Sequence, residues 1–139
     1  MNDSPTTKET EENEMPDKRA FISFAVEDSN LRDFLVGQAK NKKSPFSFID
    51  MSVKDPWDSE WKTKCRTKIR GCDGMISIIT NNSPTASGQL WEMACALEEN
   101  IPIRLIHGNE DRPKMPSPWN KRMIYLWTWD NITSFLNSL

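Results

Sequence analysis

An α/β fold built on one doubly wound, five-stranded parallel sheet is what this sequence predicts, on three observations. Short apolar runs alternate with amphipathic stretches of roughly ten residues, the pattern of strands joined by crossover helices. The run Met75-Ile76-Ser77-Ile78-Ile79-Thr80, bounded by Gly74 and by Asn81-Asn82-Ser83-Pro84, is too short for a helix and rich in β-branched residues. It reads as a central strand buried on both faces. Finally, 139 residues supply one domain with a full core and fall short of two ordinary ones.

Taken in order, residues 1–18 hold six acids against two lysines and no apolar periodicity. They are expected to form a disordered acidic tail that cannot bury enough surface to offset its ordering, and the folded domain is expected over 19–139. Arg19-Ala20-Phe21-Ile22-Ser23-Phe24 is the first strand. Asp28 or Ser29 then caps a helix over 31–38, with Leu31, Phe34 and Leu35 on its inner face. The lysine-rich break at 40–45 is a solvated turn or a contact for an anionic partner. Phe46-Ser47-Phe48-Ile49-Asp50 is the second strand, and 50–57 is a loop. Asp58-Ser59-Glu60 opens a helix whose Trp61, Cys65 and Ile69 form one buried stripe before Gly71 ends it.

After the central strand, Ser87 caps a helix running to about Asn100, with Leu90, Met93, Ala94 and Leu97 toward the core. Ile101-Pro102-Ile103-Arg104-Leu105-Ile106 is the fourth strand, with Pro102 at its start. Arg122-Met123-Ile124-Tyr125-Leu126-Trp127 is the fifth, and Asp130 caps a last helix over 131–139 that buries Ile132, Phe135 and Leu136. The architecture is flavodoxin-like, in which ligands bind outside the carboxyl ends of the strands.

Composition narrows the function. A net charge of -2 with 27% charged residues lacks the basic excess that a phosphate backbone demands, so nucleic acid is not expected as a partner. No run of 18 apolar residues is present and the N-terminus is acidic, so neither membrane nor export is expected and the location is expected to be cytoplasmic. Cys65, Cys72, Cys95 and the single histidine, His107, match no metal spacing, and the cysteines read as reduced packing residues. A Cys-His nucleophilic pair is the other use for them. The glycine signatures GxGxxG, GxxxxGK[ST] and GxSxG are absent.

One stretch stands out: Ser87-Gly88-Gln89-Leu90-Trp91-Glu92-Met93-Ala94-Cys95-Ala96. Glu92 lies early in this helix, and its side chain leans back toward the loop after the central strand. It therefore sits at a solvated mouth. It either complements the helix dipole or serves a site there.

Four segments together, Phe21-Ile22-Ser23-Phe24-Ala25-Val26-Glu27-Asp28, Phe48-Ile49-Asp50-Met51-Ser52, the central strand, and the Trp91-Glu92 helix, resemble the bacterial TIR-like domains, relatives of the Toll/interleukin-1 receptor domain. Within that group the chain is most similar to the small TIR-like subunits of the Thoeris antiphage system. The resemblance spans about 19–139. It implies cleavage of the nicotinamide–ribose bond of NAD, as substrate with no separate cofactor, by an NAD glycohydrolase or ADP-ribose cyclase that makes a nucleotide signal for a downstream effector. Glu92 falls on the catalytic glutamate, and Phe24, Asp50, Ser52 and Trp91 fall where the substrate would be lined. Each of these has a plainer reading: Phe24 as core, Asp50 as a loop cap, Trp91 as packing. Many TIR enzymes carry an aromatic residue one helical turn before the glutamate, where this chain has Gly88. The resemblance also implies self-association through 50–57, which carries Met51, Val53 and Trp57 either for a neighbouring copy or for its own domain. The alternative function is a non-catalytic TIR-like interaction module; a generic nucleotide-binding domain comes after both. Fold alone does not choose between them.

Deleting residues 1–17 is expected to leave the melting temperature unchanged, since the segment offers almost no apolar surface. Thermal unfolding of the truncated and full chains checks this, and a drop of several degrees would show that the tail is docked.

Overall fold

The computed structural model describes residues 18–51 and 59–139. Its five strands, β1 (Arg19–Ser23), β2 (Ser47–Ile49), β3 (Gly74–Ile79), β4 (Ile103–His107) and β5 (Ile124–Tyr125), form one sheet in the order β2-β1-β3-β4-β5. Every pairing is parallel. The helices are α1 (Ser29–Asn41), α2 (Ser59–Arg70), α3 (Ser87–Glu98) and α4 (Trp129–Asn137), with short 3-10 turns at Val26–Asp28, Ser83–Thr85 and Trp119–Lys121. This is the flavodoxin-like, single-domain α/β architecture that the sequence predicts.

Strand alternation sorts the core into two layers. Phe21, Met75, Ile79 and Leu105 meet Trp61, Cys65 and Ile69 of α2 and Met93 and Ala96 of α3. On the opposite face Ala20, Ile22, Ile76, Ile78 and Ile106 meet Leu35 of α1 and Ile132, Phe135 and Leu136 of α4. All six residues of β3 are buried, as its central place requires. Ser23 and Ser77 break the apolar pattern: they are register partners in β1 and β3, both fully buried, on the α2/α3 face.

Several expected details differ. The strands are shorter, leaving Phe24, Asp50, Thr80, Pro102 and Trp127 in the flanking loops. Phe34 is 62% exposed and does not join the core. None of the three expected caps is used. Asp28 precedes α1 but makes no capping bond, and Ser87 is the first residue of α3, preceded by the uncapping Ala86. For α4 the cap is Thr128, whose hydroxyl accepts from the Asn131 amide, with Asp130 inside the first turn. Gly71 follows α2 as expected, but no glycine has positive φ among the described residues; the left-handed residues that close helices are Lys43, at φ 52, after α1 and Asn100, at φ 59, after α3.

The largest correction concerns α3. Its buried face is Gln89, Glu92, Met93, Cys95 and Ala96, while Ala94 is exposed and Leu97 is 38% exposed. The helix is rolled about its axis relative to the expected stripe. Its two polar residues go inward because Ser23 and Ser77 wait beneath them.

Gly108 marks a tight closure where β4 leaves the sheet. Its amide donates to the Ile79 carbonyl at 2.8 Å, and an added Cβ would lie 2.8 Å from Ile78 Cγ2 and 2.9 Å from Thr80 Cγ2, both on stiff β-branched side chains. A Cβ at Gly74 would instead meet the terminal Leu139, 2.7 Å away, which can give way. Gly108→Ala is therefore expected to destabilise by about 1–3 kcal/mol through overpacking, and Gly74→Ala by less, as read from urea unfolding of both variants.

Candidate active site

The order β2-β1-β3 reverses direction between β1 and β3, so the crevice at the carboxyl ends of these two strands is the topological switch point of the sheet. Ser23 ends β1 there. Its hydroxyl donates to Glu92 Oε1 at 2.7 Å, and the Cys65 thiol lies 3.9 Å from Oε2. Gln89, one turn earlier on α3, donates through Nε2 to Ser77 Oγ at 3.0 Å and to the Ile78 carbonyl at 2.8 Å. Its Oε1 is buried without a partner among the described residues.

Glu92 is only 7% exposed, which overturns the expectation of a solvated mouth. Burial pushes its carboxyl up to about 8, the nearby charge of Asp50 adds to the rise, and the hydroxyl of Ser23 and thiol of Cys65 oppose it. In the resting protein at neutral pH this carboxyl mostly carries its proton. Desolvation drives the Cys65 thiol upward as well, with Glu92 contributing, and pushes Cys72 up to about 11 and Cys95 in the same direction. Thiolates are thus disfavoured at all three cysteines. The ring of His107 ends β4 with Nδ1 buried and unpartnered among the described residues. Nothing there activates a cysteine nucleophile. Among the described residues no group of three His, Cys, Asp or Glu side chains is placed to hold a metal.

Of the other expected site residues, Asp50 and Phe24 are joined by one that sequence reasoning missed. Arg32 of α1 donates from Nη1 to Asp50 at 2.8 Å and from Nε to Asp33 at 2.6 Å, and its guanidinium lies 5.1 Å over the Phe24 ring. Phe24 also packs, half-buried, on the α1/α4 side of the core, so the core reading and the lining reading both apply. Trp91 is turned elsewhere. It stands edge-on to Trp61 at 5.5 Å with Arg66 over it at 5.6 Å, on a groove of about 370 Å³ along α2. Ser52 lies outside the described residues, as do Val53 and Trp57, while Met51 folds back against its own core.

A clasp holds the two loops that border the crevice. Asp28 accepts from Thr80 Oγ1 at 2.6 Å and from Asn82 Nδ2 at 3.1 Å, and the Asn82 amide donates to Thr80 Oγ1. The Asp28 carboxylate is spent on this cross-loop contact, which is why it does not cap α1. The available signals for the missed residues were the serines inside apolar strands and an arginine one turn into a helix facing the site.

Gly88 lies at the start of α3 with open space around it: no atom comes within 4 Å of an added Cβ. No protein-family model matches the chain, and no curated protein matches it in sequence. No helix among the described residues is long and apolar enough to cross a membrane.

The raised Glu92 carboxyl has a thermodynamic signature. Below 4.5 both folded and unfolded chains hold this proton; between 4.5 and about 8 only the folded chain does, so stability falls as pH rises through that window and levels above it. Relative to Glu92→Gln, which cannot titrate, the native protein is expected to lose on the order of a few kcal/mol across the window. Paired denaturant titrations from acid to mildly alkaline pH give the difference; a flat difference would show that Glu92 does not carry the proton.

Proposed function

We propose that this chain is a TIR-like enzyme that cleaves NAD, as a glycohydrolase or ADP-ribose cyclase, and yields a nucleotide signal in bacterial antiphage defence. The observation that carries the reading is one buried carboxyl, Glu92, at the switch point of the sheet, where a doubly wound fold receives its ligand. In the reaction the bond from ribose C1′ to the pyridinium nitrogen breaks, and its electron pair leaves with neutral nicotinamide. The ribose becomes oxocarbenium-like. An adjacent carboxylate stabilises that cation, and in a site shielded from water the interaction is strong. No general acid is required, because the leaving group departs neutral. Water attacking C1′ and losing a proton gives ADP-ribose; a hydroxyl or ring nitrogen of the same molecule attacking C1′ gives a cyclic product.

Ser23 orients the carboxyl through the 2.7 Å bond. Asp50, held by Arg32, is the further acid whose charge is felt at Glu92. The ionised form does the chemistry, while the resting form is protonated. The kcat/KM for NAD is therefore expected to rise with pH toward about 8 and level above it. Self-association through 50–57 and an effector that senses the product belong to the same proposal.

The second reading, a non-catalytic interaction module, is favoured by one specific feature: both carboxyl oxygens of Glu92 already have partners inside the protein. Glu92→Gln separates the two. It keeps the size and hydrogen-bonding capacity and removes the charge, so the fold is expected to persist by circular dichroism while NAD consumption falls by roughly 10²-fold or more. Native turnover in the variant would remove Glu92 from catalysis, and an inactive native protein under all conditions would favour the module.

A further inference from the structure

Arg32 is placed and oriented beyond what its ion pairs need. Its guanidinium plane is set by Phe24, 5.1 Å beneath, and by two carboxylates: Nε points to Asp33 and Nη1 to Asp50. Those two bonds use two of the five N–H donors that a guanidinium carries. The side chain remains 25% exposed. Its partner Asp50 is the acid whose charge reaches Glu92. Arg32 is thus a fixed cation one residue removed from the buried carboxyl.

A dinucleotide brings two negative charges on its diphosphate to strand ends that carry Asp50 and the Asp28 clasp. Without a cation, those acids would repel it. The planar fork of an arginine matches two phosphate oxygens at once, and holding that fork in advance removes the ordering cost from binding. Arg66 pairs with Glu98 and Glu99 and Arg70 with Glu99, between α2 and α3, and Arg122 stacks on Trp119 and donates to the Ile103 carbonyl; Arg32 differs in its place, beside Asp50 at the carboxyl end of β2.

We propose that Arg32 holds the diphosphate of a dinucleotide substrate at the Glu92 site, with Phe24, Asp33 and Asp50 fixing its orientation. This rests on the NAD-cleaving reading for the identity of the substrate, and its test is separable from that reading. The full chain is compared with Arg32→Gln and Arg32→Lys on two substrates that share the scissile bond, NAD and nicotinamide riboside, the second of which has no diphosphate. The ratio of kcat/KM for NAD to that for the riboside is expected to fall about tenfold or more in Arg32→Gln, the factor of one charge-assisted hydrogen bond. Arg32→Lys, which keeps the charge and loses the fork, falls between.

Calorimetric binding of ADP-ribose and of adenosine supplies a readout that needs no turnover. Arg32→Gln is expected to weaken ADP-ribose by a similar factor and to leave adenosine unchanged. An unchanged substrate ratio, equal losses for ADP-ribose and adenosine, or a native protein that binds no ADP-ribose would each overturn the assignment. A native protein that binds ADP-ribose through Arg32 but cleaves neither substrate would keep the subsite and sink the catalytic reading.

Discussion

The hydrogen bond from Ser23 to Glu92 sets how α3 lies on the sheet, and much of the molecule follows from that roll. Removing a carboxyl and a carboxamide from water costs several kcal/mol unless each finds partners. Ser23 supplies one for Glu92, and Ser77 and the Ile78 carbonyl supply them for the Gln89 Nε2, from two neighbouring strands at one level of the sheet, while Gln89 Oε1 has none among the described residues. The inward face of α3 is then Gln89, Glu92, Met93 and Ala96, spaced by three and four, with apolar residues completing the stripe that the polar pair begins. Once those are inside, Ala94 and Leu97 must face out and Trp91 must fall on the seam with α2, where Trp61 receives it. One short polar contact thus fixes both the buried carboxyl and the aromatic packing beside it.

The loops around the crevice are held by the same logic of polar groups spent across the chain instead of locally. An aspartate before a helix ordinarily accepts from the amides of the first turn. Asp28 bonds Thr80 and Asn82 in place of that, tying the turn after β1 to the turn after β3. By contrast α4, which lies on the other face, has an ordinary threonine cap in Thr128. The clasp keeps the two strand ends that define the switch point in fixed relation, so that Ser23 and α3 stay at hydrogen-bonding distance.

Most of the fold was legible because its signals are additive over many residues. The apolar stretch of β3, the stripe of Trp61, Cys65 and Ile69, and the trio Ile132, Phe135 and Leu136 each repeat one instruction several times, and burial follows them. Caps were not legible, since a single side chain such as Asp28 has local and distant acceptors or donors of similar worth, and sequence shows only the local ones. Glu92 was legible as a singular residue and misplaced in depth. Hydropathy assigns α3 the face containing Leu90, Met93, Ala94 and Leu97; Met93 is buried and Leu90 packs against the core as expected, and only the knowledge that Ser23 and Ser77 pair in register beneath the helix turns Ala94 and Leu97 out in favour of Gln89 and Glu92. Arg32 was hidden for a related reason: its partners Phe24, Asp33 and Asp50 gather from three elements.

On the proposed NAD-cleaving reading, burial and a role in charge stabilisation would pull Glu92 in opposite directions at rest and in the same direction during reaction. Alone in a poorly solvated site, the carboxyl lowers its energy by keeping its proton, which is the physical content of a value near 8. When a cation arrives beside it, the environment that penalised the lone charge strengthens the pair, because little water remains to screen it. A carboxylate exposed at an open mouth would ionise readily and stabilise a neighbouring cation weakly. Ser23 adds direction to this balance, since its hydroxyl donates to one oxygen and leaves the other face of the carboxyl for the incoming charge, with only the weak thiol contact of Cys65 to displace. On the NAD-cleaving reading proposed above, burial that looks structural is the condition under which a single acid would act without a second one.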